Sequence, residues 1–376
     1  MNGTDWLRLF EERETRLRVD LEALVTSESP SHDAGRVTAV ARWMGERLRS
    51  AGVRAETRPC PPHGEALLAG IGAVEGGTLL LGHHDTVWPV GSLAEIPFRI
   101  EDGRARGPGG FDMKAGLAVA LSVLEALLAA SDPPAVSLLS VPDEEIGTSA
   151  SRGLLLETAR RHRRVLVLEP SLDGAVKVAR KGTGLFDLEF RGRAAHAGLE
   201  PEKGASALAE MARCVLFLET VQDVGRGTTV TPTVAASGTT TNVVPEAASL
   251  KADIRVWSMT EATRVEAAVR GYRQADARVS VVVAGGFDRA PLEPTPAAEA
   301  LYARAREIAR EMGFELPSAR VGGASDGNLT AAAGVPTLDG LGPKGDGAHA
   351  RHEWVDVSDM PRRAALLTRL ILDLAP

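Results

Sequence analysis

The chain has 376 residues, 44% of them hydrophobic and 25% charged, an ordinary globular composition that suits about two domains and excludes wholesale disorder or a collagen-like repeat. The 43 Lys and Arg against 50 Asp and Glu give a net charge of −7, so no basic excess exists to neutralise the phosphates of a nucleic acid. Two distant cysteines, Cys60 and Cys214, exclude a disulfide scaffold or a thiolate zinc knuckle.

The N-terminal stretch over about 5–25 reads as a surface helix, with Trp6, Leu9, Phe10, Arg13 and Leu17 at helical spacing. Its acids (Asp5, Glu11, Glu12, Glu14, Asp20) and the lack of an apolar run argue against a secretory signal, so a cytoplasmic protein is expected. A second helix is predicted over about 34–51, with Val37, Val40, Ala41, Met44 and Leu48 as its stripe and Gly52 as its stop. The Arg58–Gly64 segment, with Pro59, Pro61 and Pro62, reads as a loop. Three short apolar strands follow, Thr78–Leu81, Val136–Val141 and Val165–Leu168, with a turn over Gly107–Asp112 and an Ala- and Leu-rich helix over about 113–130 between the first two. That helix carries Ser122 and Glu125, and no apolar run reaches the roughly 20 residues of a membrane span.

Buried strands separated by helices predict an α/β domain around a mostly parallel sheet. From about 181 to 290 the style changes to strand, helix, two strands, helix and strand, which predicts an inserted α+β domain with an open four-stranded sheet and two helices. Pro291, Pro294 and Pro296 mark the return to the first domain, so the division is 1–180 with 291–376, and 181–290. A helix over about 297–312, the loop Gly322–Asp326, a strand over Thr337–Gly342, a loop and a last helix complete the chain. Cys214 falls beside the inward stripe of the inserted domain's first helix and reads as core; Cys60 reads as an inert loop thiol.

Parallel sheets collect their chemistry beyond the carboxyl ends of the strands. His83, Asp85, Glu144, Glu145 and Glu169 all lie there. Singly each has an ordinary reading: a loop histidine, a helix cap for Asp112, a solvated acidic turn for Glu144–Glu145. As a set they offer imidazole and carboxylate donors without cysteine, which suits a catalytic divalent ion such as Zn²⁺. Five ligands, with His349 included, exceed one open tetrahedral site but suffice for two ions if one carboxylate bridges. Arg289 and Lys181 lie near the domain junctions, where either could meet a side-chain carboxylate of a substrate.

His83-His84-Asp85-Thr86-Val87, Gly107-Pro108-Gly109-Gly110-Phe111-Asp112-Met113-Lys114, Asp143-Glu144-Glu145-Ile146-Gly147, Glu169-Pro170 and His349-Ala350-Arg351-His352-Glu353 resemble, in order, the motifs of the M20 metallopeptidases. The resemblance runs from about residue 20 to the end and is strongest to the glutamate carboxypeptidase and aminoacylase branch. It implies a zinc-peptidase-like catalytic domain with two divalent ions, zinc first, with cobalt or manganese as alternatives. His83, Asp112 and Glu169 would hold one ion and Asp112, Glu145 and His349 the other, with Asp85 orienting His83. His84 and His352 are the rivals of His83 and His349; the family spacing favours the latter two. Glu144 would be the general base acting on a metal-bridging water.

His196, within Gly192–Gly198, resembles the family's lid histidine that stabilises the oxyanion and, in dimeric relatives, reaches the partner's site. Asn242 and Arg255 match lid positions that bind a substrate carboxylate. The Gly322–Asp326 loop is expected to line the pocket by backbone contacts. Asp112 sets aside the amidohydrolases that carry cysteine at the bridge.

The expected function is therefore hydrolysis of an amide beside a free carboxylate, on an N-acyl amino acid or short peptide, by a homodimer joined through the lid domain, with no nucleic-acid or membrane partner. A di- or tripeptidase, or a deacylase of the acetylornithine or succinyl-diaminopimelate type, is the nearest alternative. A metal-free binding protein is a remote one.

Overall fold

A computed structural model describes residues 3–73 and 75–375. The chain folds into two compact units. One takes the chain up to Val178, then Pro294–Arg320, then Ser325 onward; the other takes Ala179–Glu293 with Val321–Ala324.

The first unit is built on a six-stranded mixed sheet in the order Arg54–Pro59, Glu65–Ile71, Val136–Val141, Thr78–His83, Arg164–Val167 and Thr337–Leu338. The last four strands run parallel to one another. The first two form an antiparallel hairpin at one edge. Every residue of Thr78–His83 and of Val136–Val141 is buried, so both faces need cover. Alternation divides the side chains: Leu80, Leu138 and Leu166 join one core cluster, Leu79, Leu81, Leu139 and Val167 the other. The larger cluster packs under helices Glu14–Thr26, Ala34–Ser50, Ala115–Leu128 and Asp359–Asp373.

Two readings change here. The N-terminal stretch is two helices, Gly3–Glu12 and Glu14–Thr26, and not one surface helix. Trp6 and Phe10 are buried in the main core, where the first of these helices packs on the C-terminal helix. The proline-rich segment is the tip of the edge hairpin: Pro59 closes one strand, and Cys60 N–H bonds the Gly64 carbonyl at 2.7 Å. An edge position is where a proline costs no ladder bond.

A small antiparallel sheet joins distant segments of this unit. Trp354–Asp356 pairs with Arg104–Arg106 on one side and Gly345–Asp346 on the other. It docks the C-terminal loop that carries His349 against the chain leading into the Gly107–Asp112 turn.

The second unit is an antiparallel sheet in the order Thr229–Ser237, Ala247–Val256, Gly182–Arg191 and Ser280–Arg289. Helices Ala207–Val221 and Met259–Arg270 share its core, with Phe186, Phe190, Leu250, Ile254 and Cys214 among the buried residues. Along Gly182–Arg191 burial alternates, and Leu185, Asp187 and Glu189 face outward. Ser206 and Ser258 cap the two helices by accepting from Ala209 and Glu261 N–H.

Glu261 is buried and binds the Arg264 and Arg226 guanidinium groups and the Thr228 hydroxyl. Arg264 first, then Arg226 and Thr228, hold its carboxyl down to about 2 despite burial. A carboxyl depressed on folding stabilises the fold above its unfolded pKa, and that contribution is lost as pH falls toward the folded value. Glu261→Gln should therefore cost about 1–3 kcal/mol at neutral pH. The gap to the parent protein should narrow below pH about 4.5, as read from urea midpoints at pH 7 and pH 3.

Candidate active site

The parallel strands end at one edge of the sheet, and three of them deliver acids or histidines there. Thr78–His83 ends on His83, Val136–Val141 leads to the Glu144–Ile146 turn, and Arg164–Val167 leads to Glu169. Asp112 arrives on the irregular turn Gly110–Lys114. It caps no helix: the helix beginning at Ala115 has no side-chain cap. His349 arrives on the C-terminal loop with φ of 62°, a left-handed conformation uncommon outside glycine and one that clusters at functional sites.

The five side chains meet in two sets that share Asp112. His83, Asp112 and Glu169 form one, and Asp112, Glu145 and His349 the other; within each, the donor atoms lie within 4.8 Å of one another. His83 Nε2 is 3.3 Å from Asp112 Oδ1 and 3.5 Å from Glu169 Oε1. His349 Nε2 is 3.3 Å from Asp112 Oδ2 and 3.1 Å from Glu145 Oε2. A tetrahedral ion about 2.1 Å from each ligand sets its donors about 3.4 Å apart, so the spacing fits a metal. Two buried donors, His83 Nε2 and Glu145 Oε1, have no hydrogen-bond partner among the described residues, which also fits.

Charge points the same way. Burial alone would depress His83, but Asp112, Asp85 and Glu169 outweigh it and raise its pKa well above the usual imidazole value. Asp112 and Glu145 push His349 up to about 10. Asp112, part-buried, is held well below the usual carboxylate range by His349 and His83. Burial raises Glu145. The cluster thus draws positive charge strongly, and a pair of dications would satisfy it.

The rivals are placed elsewhere. His84 points into the core, where its Nδ1 lies 2.8 Å from Ser140 Oγ, and burial pushes it down to about 4. His352 is exposed and belongs to neither donor set.

Asp85, fully buried, organises the floor. His83 Nδ1 lies 3.3 Å from its Oδ1 and 3.1 Å from its carbonyl oxygen. A proton on Nδ1 leaves the Nε2 lone pair facing the carboxylates. The same carboxylate accepts from Ser31 Oγ at 2.7 Å and from the backbone N–H groups of Glu144 and Glu145, both at 3.2 Å. Glu144 itself is part-buried and belongs to neither set.

Sequence reasoning missed Glu353, which served there only to mark spacing. Its Oε1 accepts from Phe111 and Asp112 N–H at 2.8 and 3.1 Å; its Oε2 accepts from Gly109 N–H and Trp88 Nε1–H, both at 3.0 Å. Four donors on one buried carboxylate hold the turn that presents Asp112. Burial pushes Glu353 up to about 7 and the nearby Lys114 ammonium down to about 7. Lys114 Nζ donates to the Ser27 carbonyl at 2.8 Å. The only sequence signal was an acid four residues beyond His349, next to a strand.

The remaining residues lie in the second unit. His196 pairs its backbone with Val243, and Ala197 N–H bonds the Asn242 carbonyl at 2.9 Å, so His196 and Asn242 are neighbours. Thr183 stands opposite Arg255 on one side and Arg289 on the other. Arg255 Nη1 donates to Thr183 Oγ1 at 3.0 Å, while its Nε and Nη2 are bound by Asp253 at 2.7 and 2.9 Å. The guanidinium fork that matched a substrate position is thus engaged within its own strand. Lys181 Nζ lies over the Trp257 ring, 5.4 Å from its centre. Burial first, then the charge of Arg255, lowers its pKa.

Residues 79–373 match the model of peptidase family M20/M25/M40. The chain is 32% identical to carboxypeptidase G2 of Pseudomonas sp. (strain RS-16) over 371 residues, covering 94% of this chain and 88% of that protein. It is 27% identical to succinyl-diaminopimelate desuccinylase 2 of Shewanella loihica over 359 residues, 87% of this chain and 94% of that protein. The fold matches the crystal structure of aminopeptidase PepT from Bacillus cereus with a TM-score of 0.80 at 22% identity, covering 95% of this chain and 98% of that one. The chain belongs to peptidase family M20/M25/M40 and is a metal-dependent hydrolase.

Proposed function

We propose that the protein hydrolyses an amide bond beside a free carboxylate, acting on N-acyl amino acids or on the C-terminal residue of short peptides. The observation that carries this reading is the pair of donor sets sharing Asp112, with the carboxylate of Glu144 on the same turn but in neither set. On this reading His83, Asp112 and Glu169 hold one ion, and Asp112, Glu145 and His349 the other. Imidazole and carboxylate donors without cysteine suit Zn²⁺, with Co²⁺ or Mn²⁺ as alternatives. Two such ions, when bound, bring the pKa of a water toward about 7 and polarise the carbonyl under attack.

The chain's own side chains do the rest. Asp85 fixes the His83 ring and the backbone under both glutamates. Glu144 takes a proton from the attacking water at a carboxylate oxygen and returns it to the leaving nitrogen. His196 donates a hydrogen bond to the carbonyl oxygen as charge develops there. Asn242 beside it positions the substrate. Arg289 and Lys181 carry positive charge in the same unit, which supports an anionic substrate; Arg255 would join them by exchanging its pairing with Asp253 for a substrate carboxylate.

We read the second unit as a lid and dimerisation domain. A homodimer formed through this unit is part of that reading. Light scattering should give twice the chain mass.

Glu353 makes a separate prediction. Glu353→Gln keeps the shape but turns an NH₂ group toward backbone N–H donors. Apparent zinc affinity should fall about 10–100-fold, read by chelator competition, with the far-ultraviolet circular dichroism unchanged. An unchanged affinity would remove Glu353 from this account.

The substrate test is a hydrolysis panel run on metal-counted protein with and without chelator. N-acyl glutamate and N-acyl neutral amino acids should be cleaved only in the metal-loaded state. A second reading, deacylation of an N-acyl diamino acid, is favoured by the near full-length similarity to the desuccinylase. Faster turnover of N-succinyl diaminopimelate than of N-acyl glutamate would select it. No hydrolysis of any amide with metal restored would remove both.

A further inference from the structure

Neutral imidazole has one N–H and one lone pair, and which nitrogen holds the proton decides what the ring can do. At His196 that choice is made by the neighbouring backbone. The Gly198 and Leu199 N–H groups both point at Nδ1, each at 3.1 Å. Nδ1 has a single lone pair in the ring plane, and two donors share it. The proton of the neutral ring therefore sits on Nε2.

The frame around this contact is built from several bonds. Val244 N–H donates to the Ala195 carbonyl and Ala197 N–H to the Asn242 carbonyl, both at 2.9 Å, which pins the chain on each side of His196. Glu200 N–H returns to the His196 carbonyl at 3.1 Å and closes the turn that aims the Gly198 and Leu199 amides. The ring is exposed, so Nε2–H is presented outward from a ring whose other edge is tied down.

We propose that His196 acts as a neutral Nε2–H hydrogen-bond donor, with its tautomer set by the Gly198 and Leu199 amides, and not as an imidazolium or a general base. The inference rests on the reading that His196 meets the developing oxyanion, and it specifies the proton inventory of that step. The ring polarises the carbonyl oxygen and keeps its own proton throughout, so the proton that reaches the leaving nitrogen comes from Glu144 alone. A neutral imidazole can serve as an electrophile in this way.

The test has two arms, both on metal-loaded protein. In the first, long-range ¹H–¹⁵N correlation spectra of histidine-labelled protein are recorded at pH 7 to 8, with His196 assigned by its absence from the His196→Gln spectrum. The expected pattern is a protonated Nε2 and an unprotonated Nδ1. A protonated Nδ1, an imidazolium, or the averaged pattern of a free ring would overturn the inference while leaving the oxyanion role intact.

The second arm compares kcat for His196→Ala, His196→Gln and His196→Lys on the N-acyl amino acid cleaved fastest. Ala should lose about 10²–10³-fold. Gln, a neutral N–H donor, should recover part of that loss and equal or exceed Lys. Lys well above Gln would show that a cation is what the step needs and would overturn the inference. An unchanged kcat in His196→Ala would remove the oxyanion role itself, whatever the spectra show.

Discussion

Glu144→Gln should lower kcat by about 10²–10⁴-fold while leaving the fold, the metal content and KM close to those of the parent protein. Glu144 lies in neither donor set, so replacing it removes no ligand. Its backbone N–H is held by Asp85 Oδ1, and that bond survives the change. Gln matches the shape of Glu but cannot accept a proton from water at neutral pH. The adjacent Glu145→Gln should behave differently. Glu145 Oε2 is 3.1 Å from His349 Nε2, and its loss should lower metal occupancy together with kcat. The pair separates a base from a ligand at neighbouring positions. Metal analysis beside single-turnover kinetics reads the difference, and equal metal loss in both variants would deny Glu144 its role.

Asp112→Ala should abolish binding at both proposed ion positions. Its two oxygens face the two histidines, Oδ1 toward His83 and Oδ2 toward His349, each at 3.3 Å. No other described residue belongs to both sets. Loss of a partner outside the ligand set commonly costs 10–100-fold in metal affinity, so loss of the shared ligand should exceed about 100-fold at each position. His349→Ala is the control, because it touches one set only and should leave one ion bound. Titration calorimetry of chelator-stripped protein with Zn²⁺ should find two sites in the parent, one in His349→Ala and none in Asp112→Ala at micromolar metal. Two intact sites in Asp112→Ala would show that the aspartate is not shared.

Much of the site was legible because parallel strands impose order on the chain. His83, Glu144, Glu145 and Glu169 each follow a short apolar run, and runs buried on both faces must end at a common sheet edge once helices connect them. The same logic did not reach Glu353. Its function depends on the Gly107–Asp112 turn folding back to within hydrogen-bond distance, a long-range contact made by pairing Trp354–Asp356 with Arg104–Arg106. Those short strands carry no periodic signal. The edge hairpin was masked by its prolines, which mark a turn equally well in a loop and at a strand end. The N-terminal helices read as surface because Trp6 and Phe10 look like an isolated apolar stripe until the C-terminal helix, some 350 residues later in the sequence, arrives to cover it. At Arg255 a motif gave the residue type but not its company; Asp253, two residues earlier on the same face, takes the fork.

The most direct measurement is an anomalous difference map from crystals soaked in Zn²⁺ and recorded at the zinc edge. Two peaks are expected about 3.5–4 Å apart, one on each side of the Asp112 carboxylate, one reached by His83 and Glu169 and the other by Glu145 and His349. A single peak away from Asp112, or no peak in protein that still cleaves amides, would contradict the two-ion site.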